Sequence, residues 1–203
     1  MQEIIEAAKI AEAAIVPFFL TFDRVVKWAK SRKHKKSDDF EKHVGRLYAD
    51  FEPLGKDLIA LFRSARDCLN GTKKEHKAAA KVIQAQRDKF AESRAKMRAR
   101  AEEFASSASP RDQKLAEFVN SLASFFSKGA SAPDTRRPMM SKAASLAKNL
   151  SNRISLADSP AEQAQYEREQ LLAYINGTIT ELERSWYEIS GRYEELKKQY
   201  TAA

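Results

Sequence analysis

Apolar side chains recur along this chain at alternating spacings of four and three, the pattern of an apolar stripe on a helix. Over residues 1–36 the stripe is Ile4, Ala8, Ala11, Ile15, Phe18, Phe22, Val25 and Ala29. Pro17 lies inside it, and its missing N–H and ring clash predict a kink or break. A second stripe follows Ser37-Asp38-Asp39, an N-cap sequence with acids in the first turn. It reads Phe40, Val44, Leu47, Phe51, Leu54, Leu58, Leu61, Ala65 and Cys68, with Pro53 as an expected interruption. Asn70-Gly71 predicts its end, and Thr72 the cap of the next helix.

The third segment keeps strong apolar residues only at every seventh position: Ile83, Phe90, Met97 and Phe104. Ser109-Pro110 predicts the start of a shorter helix carrying Leu115, Phe118, Leu122 and Phe125, and residues 128–138 read as a loop. A fifth helix carries Met140, Ala143, Ala147, Leu150 and Ile154. After Ser159-Pro160 comes the longest stripe: Leu172, Ile175, Ile179, Leu182, Trp186, Ile189, Tyr193, Leu196 and Tyr200. Expected helices therefore cover about 2–32, 38–69, 72–107, 110–127, 139–157 and 160–201. No stretch alternates with period two, so the fold class is all-α.

Segments of this length imply extension. At about 1.5 Å per residue, 40 helical residues measure roughly 60 Å, whereas a compact globule of this chain length has a radius of gyration near 17 Å, by the usual scaling. The expectation is one elongated domain over 1–203, an antiparallel helical bundle or coiled coil of long kinked helices. Seam aromatics such as Trp186, Tyr193 and Tyr200 call for bulky neighbours, from this chain or from a second copy; a homodimer is the favoured expectation, with a monomeric bundle as the alternative.

Charge adds a second pattern. Lys and Arg total 36 against 28 Asp and Glu, a net charge of +8. Residues 71–158 carry +9, while 159–203 carry −3. Within this distribution Lys30, Arg32, Lys33, Lys35 and Lys36 crowd around His34, and Arg94, Lys96, Arg98 and Arg100 crowd onto the third helix. Such runs serve equally as solvated helix faces. A surplus of this size, with few acids nearby, predicts attraction to a polyanion. Only one aromatic, Phe90, lies within 71–100, too few for stacking platforms, which makes nucleic acid an unfavoured partner.

The lone Cys68 excludes an internal disulfide and reads as a small apolar seam residue. The start, Met1-Gln2-Glu3, is acidic where a signal peptide is basic, and the most apolar stretch, between Lys9 and Asp23, is short for a membrane span of roughly 20 residues. A cytoplasmic protein is the expectation. Catalytic signals are missing: His34, His43 and His76 fall on separate segments without metal-ligand spacing, and each reads as a surface helix residue. No Glu-x-x-His pair, phosphate-binding loop or nucleophile elbow appears. The expectation is no enzyme, no cofactor and no metal.

Phe18-Phe19-Leu20-Thr21-Phe22-Asp23-Arg24-Val25-Val26-Lys27-Trp28, with Asp39-Phe40 through Asp67-Cys68-Leu69, resembles the opening helices of the inverse-BAR branch of the BAR superfamily. Glu167-Arg168-Glu169-Gln170-Leu171-Leu172-Ala173-Tyr174-Ile175 resembles its closing helix. The resemblance implies an antiparallel, membrane-curving homodimer, cytoplasmic and peripheral to an anionic membrane. On this chain its lipid-binding residues would be Arg94, Lys96, Arg98, Arg100, Lys114, Lys128, Arg136, Arg137 and Lys142, beside the 30–36 run. Residues Phe18, Phe19, Leu20 and Phe22 read either as core or as an interfacial insertion. The rival readings are a helical protein–protein interaction scaffold and a binder of nucleic-acid backbones.

Overall fold

A computed structural model of the chain describes residues 17–31, 37–69, 75, 91–128 and 161–201. Helix α1 spans 17–30. It is followed by α2 (Ser37–Phe40), a π turn (Glu41–Gly45), α3 (Arg46–Leu69), α4 (Ala91–Ser107), α5 (Gln113–Lys128) and α6 (Ala161–Thr201). No strand occurs among the described residues, and the all-α class is as the spacing predicts. No described helix is long and apolar enough to cross a membrane. The expected helix over 139–157, the proposed loop after Lys128 and the apolar positions before Pro17 lie outside the described residues.

The chain divides into two compact units. One draws on Asp57–Ala91 and Lys128–Glu183. Its core among the described residues joins Ile59, Leu61, Phe62 and Ala65 of α3 with Ile175, Ile179 and Leu182 of α6. Arg63 of α3 pairs with Glu183 of α6 at its surface. The buried Thr178 donates its hydroxyl to the Tyr174 carbonyl one turn back, at 3.0 Å, which satisfies that hydroxyl.

The other unit holds Ala11–Lys56, Glu92–Ser127 and Arg184–Ala203, and its core is aromatic. Phe18, Phe40, Phe51, Phe118 and Phe125 are fully buried. Phe18 meets Phe126 at 5.0 Å between ring centroids, and Phe51 meets Phe125 edge-on at 5.1 Å. Tyr48 of α3 stacks on Tyr193 of α6 at 4.0 Å, and Phe40 stacks on Tyr200 at 4.7 Å. Phenylalanines on α1, α3 and α5 thus face one another, and the α6 tyrosines complete the wall. Each ring removes a large apolar area from water, the dominant favourable term in folding.

Three local details differ from the sequence reading. Helix α3 continues through Pro53 rather than breaking there. Pro53 and the residue four before it, Ala49, are both exposed, so water can serve the carbonyl that loses its N–H partner. A π turn precedes α3, in which the Arg46 N–H reaches back to the Glu41 carbonyl and the helix widens by one residue. Helix α5 begins at Gln113, not at the Ser109-Pro110 step. Residues 109–112 form a hydrogen-bonded turn (Asp112 N–H to Ser109 carbonyl, 2.8 Å), and the Asp112 carbonyl accepts from the Ala116 N–H.

Candidate functional site

The basic residues singled out in the sequence fall into three groups. Arg32, Lys33, Lys35, Lys36, Arg136, Arg137 and Lys142 lie outside the described residues, and Arg94 and Lys128 sit on α4 and α5 with side chains also outside them. Lys30, Arg98 and Arg100 are placed and paired. Lys30 Nζ lies 2.6 Å from Glu103, Arg98 Nε 2.8 Å from Glu102, and Arg100 Nη1 2.7 Å from Asp23. Lys96 and Lys114 are exposed, on α4 and α5.

Two of these pairs tie α1 to α4, because Lys30 and Asp23 belong to α1 and their partners to α4. The hydrogen bond and charge of Lys30 hold the Glu103 carboxyl below its ordinary range. The partners come from neighbouring helices and from the same helix, not from the acidic α6. Exposed ion pairs of this kind add little stability and exchange readily with other ions. Arg24 and Lys27, which belong to neither basic run, are exposed on α1 and form no ion pair among the described residues. Their signal was helical phase: with Leu20 they fall at i, i+4 and i+7, on one stripe opposite Phe18, Phe22 and Val25.

Charge is distributed unevenly between the described helical segments and the remainder. Residues 17–31, 37–69, 91–128 and 161–201 together hold 20 Lys and Arg against 21 Asp and Glu. The rest of the chain holds 16 against 7, and so carries the whole surplus.

Between α1 and α4 lies a half-open cleft of about 170 Å³. Phe19, Leu20, Phe22 and Met97 give it an apolar lining, and Asp23, Lys96 and Arg100 stand at its polar side. Phe22 and Met97 are buried, at 1% and 2% exposure, whereas Leu20 is 58% exposed. The alternatives of core or interfacial insertion for 18–22 therefore divide by residue: Phe18 and Phe22 are core, and Leu20 faces outward.

His43, expected as a surface residue, is half-buried and stacks on Trp28 at 5.2 Å. Burial lowers its pKa, the charge of Lys42 lowers it further, and Asp39 opposes both. Burial pushes the Tyr193 hydroxyl up to about 12, helped by Glu41. Among the described residues no three His, Cys, Asp or Glu side chains are arranged to hold a metal ion. His34 and His76 lie outside those residues.

No protein-family description, no curated protein and no solved structure matches this chain.

Proposed function

We propose that this chain is a non-enzymatic, peripheral membrane-binding protein of the inverse-BAR type, an elongated antiparallel homodimer that engages anionic lipid from the cytoplasmic side. The observation carrying this reading is the segregation of charge. The described helices, with 20 basic and 21 acidic residues, are balanced and close their ion pairs locally, and the unbalanced cations lie in the remaining segments. A charge-balanced frame does not repel itself on folding, and concentrated cations elsewhere bind a polyanionic surface at roughly 1 kcal/mol per Lys or Arg that approaches it.

Co-sedimentation with vesicles tests this reading. The protein is expected to pellet with phosphatidylserine-containing vesicles, to stay in solution with phosphatidylcholine alone, and to release as salt rises from 0.1 to 0.5 M, where screening is strong. Sedimentation equilibrium is expected to give twice the chain mass. A parallel duplex-DNA titration separates lipid from nucleic acid. Binding to neither polyanion would overturn the proposal and leave the interaction-scaffold reading.

A further inference from the structure

We infer that the outward stripe of α1, formed by Leu20, Arg24 and Lys27, is the face on which this protein lies against anionic lipid. The inference rests on the membrane reading and gives that reading a docking surface. Residues Pro17, Leu20, Arg24, Lys27 and Ser31 are exposed and follow one another at spacings of three and four, so they share one line along the helix. Phe18, Phe22, Val25 and Ala29 hold the opposite side in the core. Neither Arg24 nor Lys27 forms an ion pair among the described residues. The acids that α1 carries or bonds to are themselves engaged: Asp23 with Arg100 at 2.7 Å, Glu103 with Lys30 at 2.6 Å, and Asp50 with the Thr21 hydroxyl at 2.8 Å. No acid stands on the stripe, and from Arg24 to Ser37 the sequence carries seven Lys and Arg and no Asp or Glu.

Leu20 decides which polyanion fits. It is 58% exposed, the one aliphatic side chain among the exposed large hydrophobics of the described residues, and it precedes Arg24 by one turn. A nucleic-acid backbone offers phosphates and little apolar surface to cover such a side chain. A lipid surface offers both, anionic groups at the headgroup level and hydrocarbon beneath them. With α1 lying in the plane of that surface, side chains at i, i+4 and i+7 reach the same depth. The methylene stems of Arg24 and Lys27 then run beside Leu20 while their charged heads stay among the headgroups.

Vesicle titrations of three variants test the face. A basic residue near an anionic surface contributes about fivefold in affinity. The double variant Arg24→Glu/Lys27→Glu is therefore expected to bind phosphatidylserine-containing vesicles at least tenfold more weakly than the parent, with a shallower salt dependence. Leu20→Ser is expected to weaken binding at least threefold and to leave the salt dependence unchanged. Arg111→Glu/Lys198→Glu makes the same change in net charge at exposed positions on other parts of the same unit and is expected to weaken binding less than threefold. All replaced residues are exposed, so the fold should tolerate them, with unchanged thermal unfolding as the control. If the parent binds these vesicles, the inference alone is overturned by any of three results: an α1 double variant that binds like the parent, an Arg111/Lys198 variant that loses as much, or an unaffected Leu20→Ser. A parent that binds no vesicle overturns the membrane reading as well. Duplex-DNA binding that the α1 double variant loses, without vesicle binding by the parent, would assign the stripe to nucleic acid instead.

Discussion

Alanine replacing glycine should have opposite effects at two kinds of helical position in this protein. Gly55 lies in α3 against α6, and a methyl built there would sit 3.0 Å from Trp186 Cδ1, 3.3 Å from Trp186 Nε1 and 3.3 Å from Phe51 Cζ. Gly177 and Gly191, both in α6, would place theirs in open space, with nothing within 4 Å. None of these glycines has a positive φ, so alanine is conformationally acceptable at all three. The common gain from removing a helical glycine is about 0.5–1 kcal/mol. At Gly177 and Gly191 that gain stands alone and should appear as added stability. At Gly55 it is opposed by overpacking, which costs about 1–3 kcal/mol, so the net should be a loss of roughly 0–2.5 kcal/mol. Gly55→Val brings two further methyl groups toward the same ring and should lose more. Urea unfolding at constant m-value measures each change, and in a Trp28→Phe background the emission of Trp186 reports whether its half-buried indole has been pushed outward. Gly55→Ala as stabilising as Gly191→Ala, with unshifted emission, would refute the packing of Trp186 on Gly55.

Three other perturbations test the same packing. Phe118→Ala removes a ring with 0% exposure beside Tyr193 and should cost about 3–5 kcal/mol in urea unfolding; a cost below 1 kcal/mol would mean that Phe118 is not core. The Thr21 hydroxyl lies 2.8 Å from an Asp50 carboxylate oxygen and 3.1 Å from the Pro17 carbonyl. Thr21→Val, which keeps the shape and deletes the donor, should destabilise by about 1–3 kcal/mol, and Asp50→Asn in a double-mutant cycle should recover part of that loss as coupling. His43 has a folded-state pKa below 6.5, so the unfolded chain binds its proton first as pH falls. Its contribution is therefore complete above about pH 6.5 and lost as pH drops toward the lower folded value. An NMR titration of the His43 ring should give a midpoint below 6.5, with Trp28 emission changing in step in a Trp186→Phe background. A midpoint at or above 6.5 would contradict the burial of the ring against Trp28.

Much of the core was legible in the spacing of apolar residues. Phe18, Phe22, Val25 and Ala29 of the first stripe are buried, as are Phe40, Val44, Leu47, Phe51 and Leu54 of the second. Legibility fell where helices bury more than a narrow stripe. At the far end of α3, Ile59 and Phe62 are buried beside Leu61, while Leu58 remains partly exposed. On α5, Ala116, Val119, Ala123 and Phe126 widen the predicted row until much of the helix surface is covered. A four-three spacing finds the centre of a buried face but not its width, which depends on how many neighbours press on the helix. The π turn at Glu41–Gly45 was invisible for a related reason. One extra residue in a turn leaves Phe40, Val44 and Leu47 all inward, and the spacing alone does not distinguish a widened turn from a regular one.

The charged surface was harder to read than the core because an ion pair depends on side chains from separate helices. Lys30 and Arg100 look like parts of a cationic patch in one dimension, yet Glu103 and Asp23 meet them once α1 lies on α4, while Arg98 pairs with Glu102 one turn along the same helix. Arg24 and Lys27 attract no notice in the sequence, since residues 1–70 as a whole are close to balanced, with 13 basic and 11 acidic residues. They stand out only when helical phase puts them outward beside Leu20, where neither forms an ion pair among the described residues. Local density of Lys and Arg thus overstates the field where acids fold back, and understates it where an acid of the same segment faces elsewhere.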